Sequence, residues 1–258
     1  MDDPRPKNIS YLISRLRLKL SPRKRKIFRH EKPEDRFTEI YKNNYWRNDE
    51  SRSGSGSTLA STENLRKELP ELFREYDIRH LLDAPCGDFN WMSLVIEETG
   101  MRYTGGDIVA PLIDDNSRKF SRENIGFKHL DITKGPLPTA DLMMVRDCLF
   151  HLSYRSILDF LKVFSASEIP LLLTTTHLNR QNAFENKDIP TGHFRNIDLF
   201  SPPFSFSDPK KRIMDNIAGE HIRDICLFTR SQIAQAAETL ESYLNNYSSG
   251  GISPRPRR

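Results

Sequence analysis

The stretch His80-Leu81-Leu82-Asp83-Ala84-Pro85-Cys86-Gly87-Asp88-Phe89-Asn90-Trp91 decides how this chain is read. Its apolar start is a short strand. Asp83, Pro85 and Gly87 then form an acidic turn in which the backbone must pass close to something, and a helical pattern follows from Trp91 to Glu98. The same alternation continues on the C-terminal side. Further strands are expected at Tyr103 to Gly106, Phe127 to Leu130, Leu142 to Val145, Leu171 to Thr175 and Ile225 to Phe228. Helices are expected at Leu112 to Phe120, Tyr154 to Phe164 and Ser231 to Leu244, with earlier ones at Glu34 to Tyr45 and Thr58 to Tyr76. Strands that alternate with helices predict a doubly wound α/β fold, its mostly parallel sheet covered on both faces.

A length of 258 residues suits one such domain plus extensions. Charged residues at 29% and no apolar run of about 18 residues argue against a membrane span. Cys86, Cys148 and Cys226 are odd in number and widely spaced, which predicts neither a disulfide framework nor a metal-ligand cluster and suits a reducing cytoplasm. The net charge of +4 is uneven: residues 1–30 carry +8 and the tail from Ser248 carries +3, leaving a body of −7. An acidic body argues against a nucleic-acid partner.

The chain divides into a basic N-terminal extension (1–33), a catalytic domain (34–247) and a basic, disordered tail (248–258). Within the extension, Ile9, Leu12, Ile13, Leu16 and Leu20 recur at helical spacing among basic residues, ahead of the run Arg23-Lys24-Arg25-Lys26. This reads either as a peripheral contact with the inner membrane face or as a solvated arm. Residues 51–57 are rich in Ser and Gly and follow Tyr41, Tyr45 and Trp46; they read as a linker or as a lid over a ligand. The polar insertion 179–217, with Phe194, Phe200, Phe204 and Phe206, is expected to overhang the site and shape an acceptor pocket.

Ligands of a doubly wound sheet sit beyond the carboxyl ends of its strands. There the chain places Asp83 and Gly87 after the first strand, Asp107 and Ile108 after the second, and Asp131 with Ile132 after the third. Arg146-Asp147-Cys148-Leu149-Phe150-His151 follows the fourth strand. Asp107 lies twenty residues beyond Gly87, an offset suited to a carboxylate that accepts from a ribose diol. A nicotinamide-binding domain shares these features but needs a Gly-x-Gly-x-x-Gly turn, and the second and third glycines are missing.

In this order the residues resemble the class I S-adenosylmethionine-dependent methyltransferases, with their Rossmann-like, seven-stranded type of sheet. Together with Tyr45-Trp46, Ser51 to Ser57 and Asn186 to Phe206, they resemble a bacterial and phage-associated branch of undefined substrate, over roughly Phe37 to Leu244. The resemblance implies S-adenosylmethionine as cofactor. Asp83 and Gly87 would lie against its methionine part, Asp107 with Ile108 at the ribose and Asp131 with Ile132 at the adenine, and Trp46 and Arg146 would complete the set. The sequence departs from the family motif at Asp88 and Phe89, where glycine is usual.

Methyl transfer to a hydroxyl calls for a base, and His151 and His177 both follow strands; Asp147 is placed to orient donor or base. Hence the expected catalytic residues are His177, His151 and Asp147, with no metal, and the expected acceptor is a small molecule or glycan. Action on protein or RNA, or donor binding without catalysis, are the other readings. An Asn-Pro-Pro-Tyr element, typical of enzymes that methylate base amino groups, is replaced by Arg146-Asp147-Cys148-Leu149.

Overall fold

A computed structural model describes residues 26–216 and 222–249, so the expected amphipathic arm helix and most of the basic tail lie outside the described residues. The helices are α1 (Pro33–Lys42), α2 (Glu63–Glu75), α3 (Met92–Thr99), α4 (Ala110–Phe120), α5 (Tyr154–Ser165) and α6 (Arg230–Ser249). The strands are β1 (His80–Asp83), β2 (Arg102–Asp107), β3 (Ile125–His129), β4 (Leu142–Val145), β5 (Leu171–His177), β6 (Lys211–Asn216) and β7 (Arg223–Thr229).

They form one seven-stranded sheet in the order β3-β2-β1-β4-β5-β7-β6. All neighbours from β3 to β5 run parallel, and β7 enters antiparallel between β5 and β6. The order reverses between β1 and β4, which opens a crevice at their carboxyl ends.

Strand periodicity sorts the side chains onto two faces. Leu81, Leu142, Met144, Leu173, Ile225 and Leu227 meet α2 and α3 on one face. Leu82, Met143, Val145, Leu172, Cys226 and Phe228 meet α5, α6 and the insertion's Ile197, Leu199, Phe204 and Phe206 on the other. α5 buries Tyr154, Ile157, Leu158, Phe160, Leu161 and Phe164; such side chains each contribute roughly 1.5–3 kcal/mol relative to exposure. Its start is fixed by Ser153, whose Oγ accepts from the Ser156 N–H at 3.2 Å. A third cluster, Val109, Leu112 and Ile113, receives Phe37 and Tyr41, so α1 lies beside α4 at the rim of the crevice.

Three boundaries differ from expectation. The C-terminal part of the 179–217 insertion is the edge strand β6, whose Lys-Arg-Ile-Met-Asp pattern carries too many charges to read as a strand from sequence. The closing helix runs past Leu244 to Ser249, into the first residues assigned to the tail. Ile27 and Phe28, assigned to the extension, pack on the body: Ile27 is buried, and the Phe28 ring lies 3.9 Å from that of His193. Among the described residues no helix is long and apolar enough to cross a membrane.

Candidate active site

The floor of the crevice is acidic because the strands that make it end in carboxylates. Asp83 ends β1, buried, and accepts from the Tyr103 hydroxyl at 2.9 Å. Burial pushes its carboxyl up to about 7, against that hydrogen bond and the nearby Arg146. Asp107 ends β2 and accepts from the backbone N–H groups of Val109 (3.0 Å) and Gly87 (3.3 Å); burial outweighs these bonds and raises it to about 6. Asp131 follows β3. Burial works against its charge, but Lys134 at 2.8 Å and the Thr133 hydroxyl and N–H prevail and hold its carboxyl below the usual value.

Over this floor lies the Ser/Gly segment, and hydrogen bonds hold it closed. The Asp88 carboxylate accepts from Ser51 Oγ (3.0 Å), the Arg52 N–H (2.7 Å) and Ser53 Oγ (3.2 Å). In return the Asp88 N–H donates to Ser53 Oγ at 3.0 Å. Phe89 anchors the turn from below, buried among the rings of Tyr103, Phe120 and Phe127. Of the two departures from the family motif, Asp88 thus ties the segment 51–57 to the turn and Phe89 anchors the turn itself. Gly87 has φ +53° and faces Ser53 so closely that a Cβ would overlap its hydroxyl.

The far end of this segment is fixed by charge. Arg146 Nη2 donates to the Gly56 carbonyl at 2.8 Å, and a Cβ on Gly56 would fall 2.8 Å from Asp147 Oδ2. Arg146 also grips Asp215 of β6 through Nε (3.0 Å) and Nη2 (2.8 Å). Arg223 of β7 joins Asp215 (3.1 Å) to Asp147 (2.9 Å). In this buried network Asp147 keeps Oδ1 without a hydrogen-bond partner.

His151 stands in the turn after β4. Its Nδ1 lies 2.8 Å from the His193 carbonyl, which can only accept, so the proton is on Nδ1 and Nε2 is the basic nitrogen. Burial lowers its pKa, aided by Arg195 and opposed by the His193 carbonyl and Asp147. The insertion grips this turn: the Gly192 N–H donates to the His151 carbonyl (2.7 Å), the Arg195 N–H to that of Phe150 (3.2 Å) and Arg195 Nη1 to that of Leu152 (2.6 Å).

One cavity runs through these parts, lined by Trp46, Asp83, Gly87, Asp107, Ile108, Asp131, Ile132, Arg146, Asp147 and His151. His177 is not among its walls. It lies buried beside Phe150, and its Nδ1 accepts from the Ile197 N–H at 3.2 Å while its own N–H donates to the Ile197 carbonyl at 2.8 Å. The insertion covers it. Phe37, Tyr41, Ser53, Ser57 and Trp91 line the cavity too. Arg223 and Asp215, which brace Arg146 and Asp147, carry no local sequence signal; only the pairing of β6 with β7 brings them together.

No family model matches the chain, and no curated protein does either. Solved structures do. Human N-acetylserotonin methyltransferase in complex with SAM matches with a TM-score of 0.57 at 15% identity, over 84% of this chain and 65% of that one. The chain therefore spans just under two thirds of that enzyme's length. PigF with SAH matches with a TM-score of 0.57 at 14% identity, over 85% and 68% of the two chains. Magnesium protoporphyrin IX methyltransferase from Synechocystis PCC 6803 with bound SAM gives 0.51 at 10% identity, over 78% and 98%. At such identities the likeness is one of fold, and the fold is that of the class I methyltransferases.

Proposed function

We propose that this chain is an S-adenosylmethionine-dependent methyltransferase that acts on a hydroxyl of a small molecule or glycan, with His151 as the base. The observation that carries the reading is the single cavity joining Asp83, Asp107, Asp131 and Asp147, from four successive strand ends, to the basic Nε2 of His151.

The residues fit the donor. Asp107 and Asp131 would take its ribose and adenine edges beside Ile108 and Ile132, and the unpartnered Asp147 Oδ1 offers an acceptor to its ammonium group. When bound, the donor supplies a methyl group on a sulfonium, already primed for transfer. The protein then has to align the acceptor, exclude water and take a proton. The stapled lid serves exclusion. His151, kept uncharged by burial and in one tautomer by the His193 carbonyl, serves the proton. Two of the structural neighbours are named for small-molecule acceptors, N-acetylserotonin and a magnesium porphyrin, which favours an acceptor of that kind here.

Calorimetric titration with S-adenosylhomocysteine, S-adenosylmethionine and NAD tests the donor. Micromolar binding of the first two, weakened at least tenfold in Asp107→Ala, is the expected result. Binding of NAD alone would make the chain an oxidoreductase. Tight donor binding with no transfer to any hydroxyl acceptor, in wild type and His151→Gln alike, would leave a binding protein.

A further inference from the structure

Arg195 is the one cation that the insertion buries behind the base. Only 8% of the residue is exposed, yet among the described residues no carboxylate pairs with it: Nη1 is bound to the Leu152 carbonyl at 2.6 Å, and Nε and Nη2 are buried without hydrogen-bond partners there. Its guanidinium lies over the Tyr154 ring, 5.3 Å from the centroid. Asp188 is the nearest acid that acts on it, but Asp188 Oδ1 is taken by the N–H groups of Tyr154 (2.7 Å) and Ile189 (2.9 Å). A buried, unpaired cation destabilises a fold unless it serves some purpose.

The surroundings of His151 suggest that purpose. From the β4 turn, Asp147 favours a charged imidazole, and from the insertion the His193 carbonyl does the same; burial opposes it most, and Arg195 is the charged group that adds to that opposition. His177, on β5, is separated from His151 by the Phe150 ring. Asp147 works toward holding the proton on such a base, and burial and Arg195 together work against it.

We propose that Arg195 is a positioning residue for the base: fixed to the Leu152 carbonyl one residue beyond His151, its buried charge adds to burial in keeping the imidazole uncharged and ready to accept. The proposal rests on His151 being the base, but its test needs neither donor nor acceptor. The His151 ring is titrated by NMR in wild type, Arg195→Lys, Arg195→Gln and Arg195→Met, with His151→Gln to assign the signals. Removing a buried positive charge raises the pKa of an imidazole on which it acts.

The expected result is that Met and Gln raise the His151 pKa while Lys, which keeps the charge, leaves it near the wild-type value. Equal His151 titration in all folded variants overturns the proposal, as does an equal shift in Lys and Met. If Met and Gln fail to fold while Lys titrates like wild type, Arg195 serves stability alone and the proposal falls. A protein that binds no S-adenosylhomocysteine would refute the methyltransferase reading instead, and the titration would stand on its own.

Discussion

Substituting Asp215 by Asn probes the charge network that joins the sheet edge to the lid. The Asp215 side chain is wholly inaccessible, and those of Arg146 and Arg223 are 5% and 9% exposed. Asn keeps the shape, so no cavity contributes to the cost. What changes is that two buried guanidiniums are left with Asp147 alone, and the new amide turns an N–H₂ toward one of them. Breaking a buried pair on one side costs about 3–5 kcal/mol. At roughly 2–4 °C per kcal/mol for a domain of about this size, the melting temperature should fall by on the order of 10 °C. Urea unfolding of Asp215→Asn, Arg223→Met and the double variant measures the cost directly, and the cycle isolates the coupling. A loss under about 1 kcal/mol with an unchanged denaturant slope would refute the argument, because it would mean that the guanidiniums find water or another partner.

Four further outcomes follow from the same geometry. Burial raises Asp83 to about 7 and Asp107 to about 6, above their unfolded value of about 3.9, so the unfolded chain gives up these protons first. The ligand-free protein should lose stability as pH climbs from about 4 to about 7, less so in Asp83→Asn, as thermal melts at both ends of that range will show. On the proposed reading an ionised Asp107 accepts from the ribose of S-adenosylhomocysteine, so calorimetry in buffers of different ionisation enthalpy should find about half a proton released near pH 6; no release would detach Asp107 from the ligand. His151→Gln should lower turnover by about 10²–10⁴-fold with donor affinity kept, whereas His177→Gln should chiefly lower stability, as activity and melting assays on both will tell. Asp88→Ala should expose the amides of 51–57 to hydrogen exchange and weaken donor binding several-fold; unchanged protection would mean that Arg146 and Asn90 hold the lid unaided.

The alternation of strands and helices was legible in the sequence because the central strands are apolar on both faces, as in Leu142 to Val145. The carboxylates at strand ends were legible for a related reason: topology alone carries such residues to one edge of the sheet. β6 was not, since an edge strand that turns Met214 outward and buries Asp215 against arginines breaks the expected period. His177 shows another limit. It ends a strand at the active edge, but what lies above it is set by a segment twenty residues later, through Ile197. The contacts of 51–57 with the body turn on Asp88, which in the sequence was visible only as a departure from a glycine-rich motif.

That departure makes the lid and the turn a single heritable unit. A chain that gained glycines at 88 and 89 would lose the latch, and one that shortened 51–57 would leave the Asp88 carboxylate without its donors. Chimaeras that import either piece alone from a glycine-rich relative should therefore be defective, while those that exchange both together should be viable. The two segments are expected to change in step across descendants of this chain.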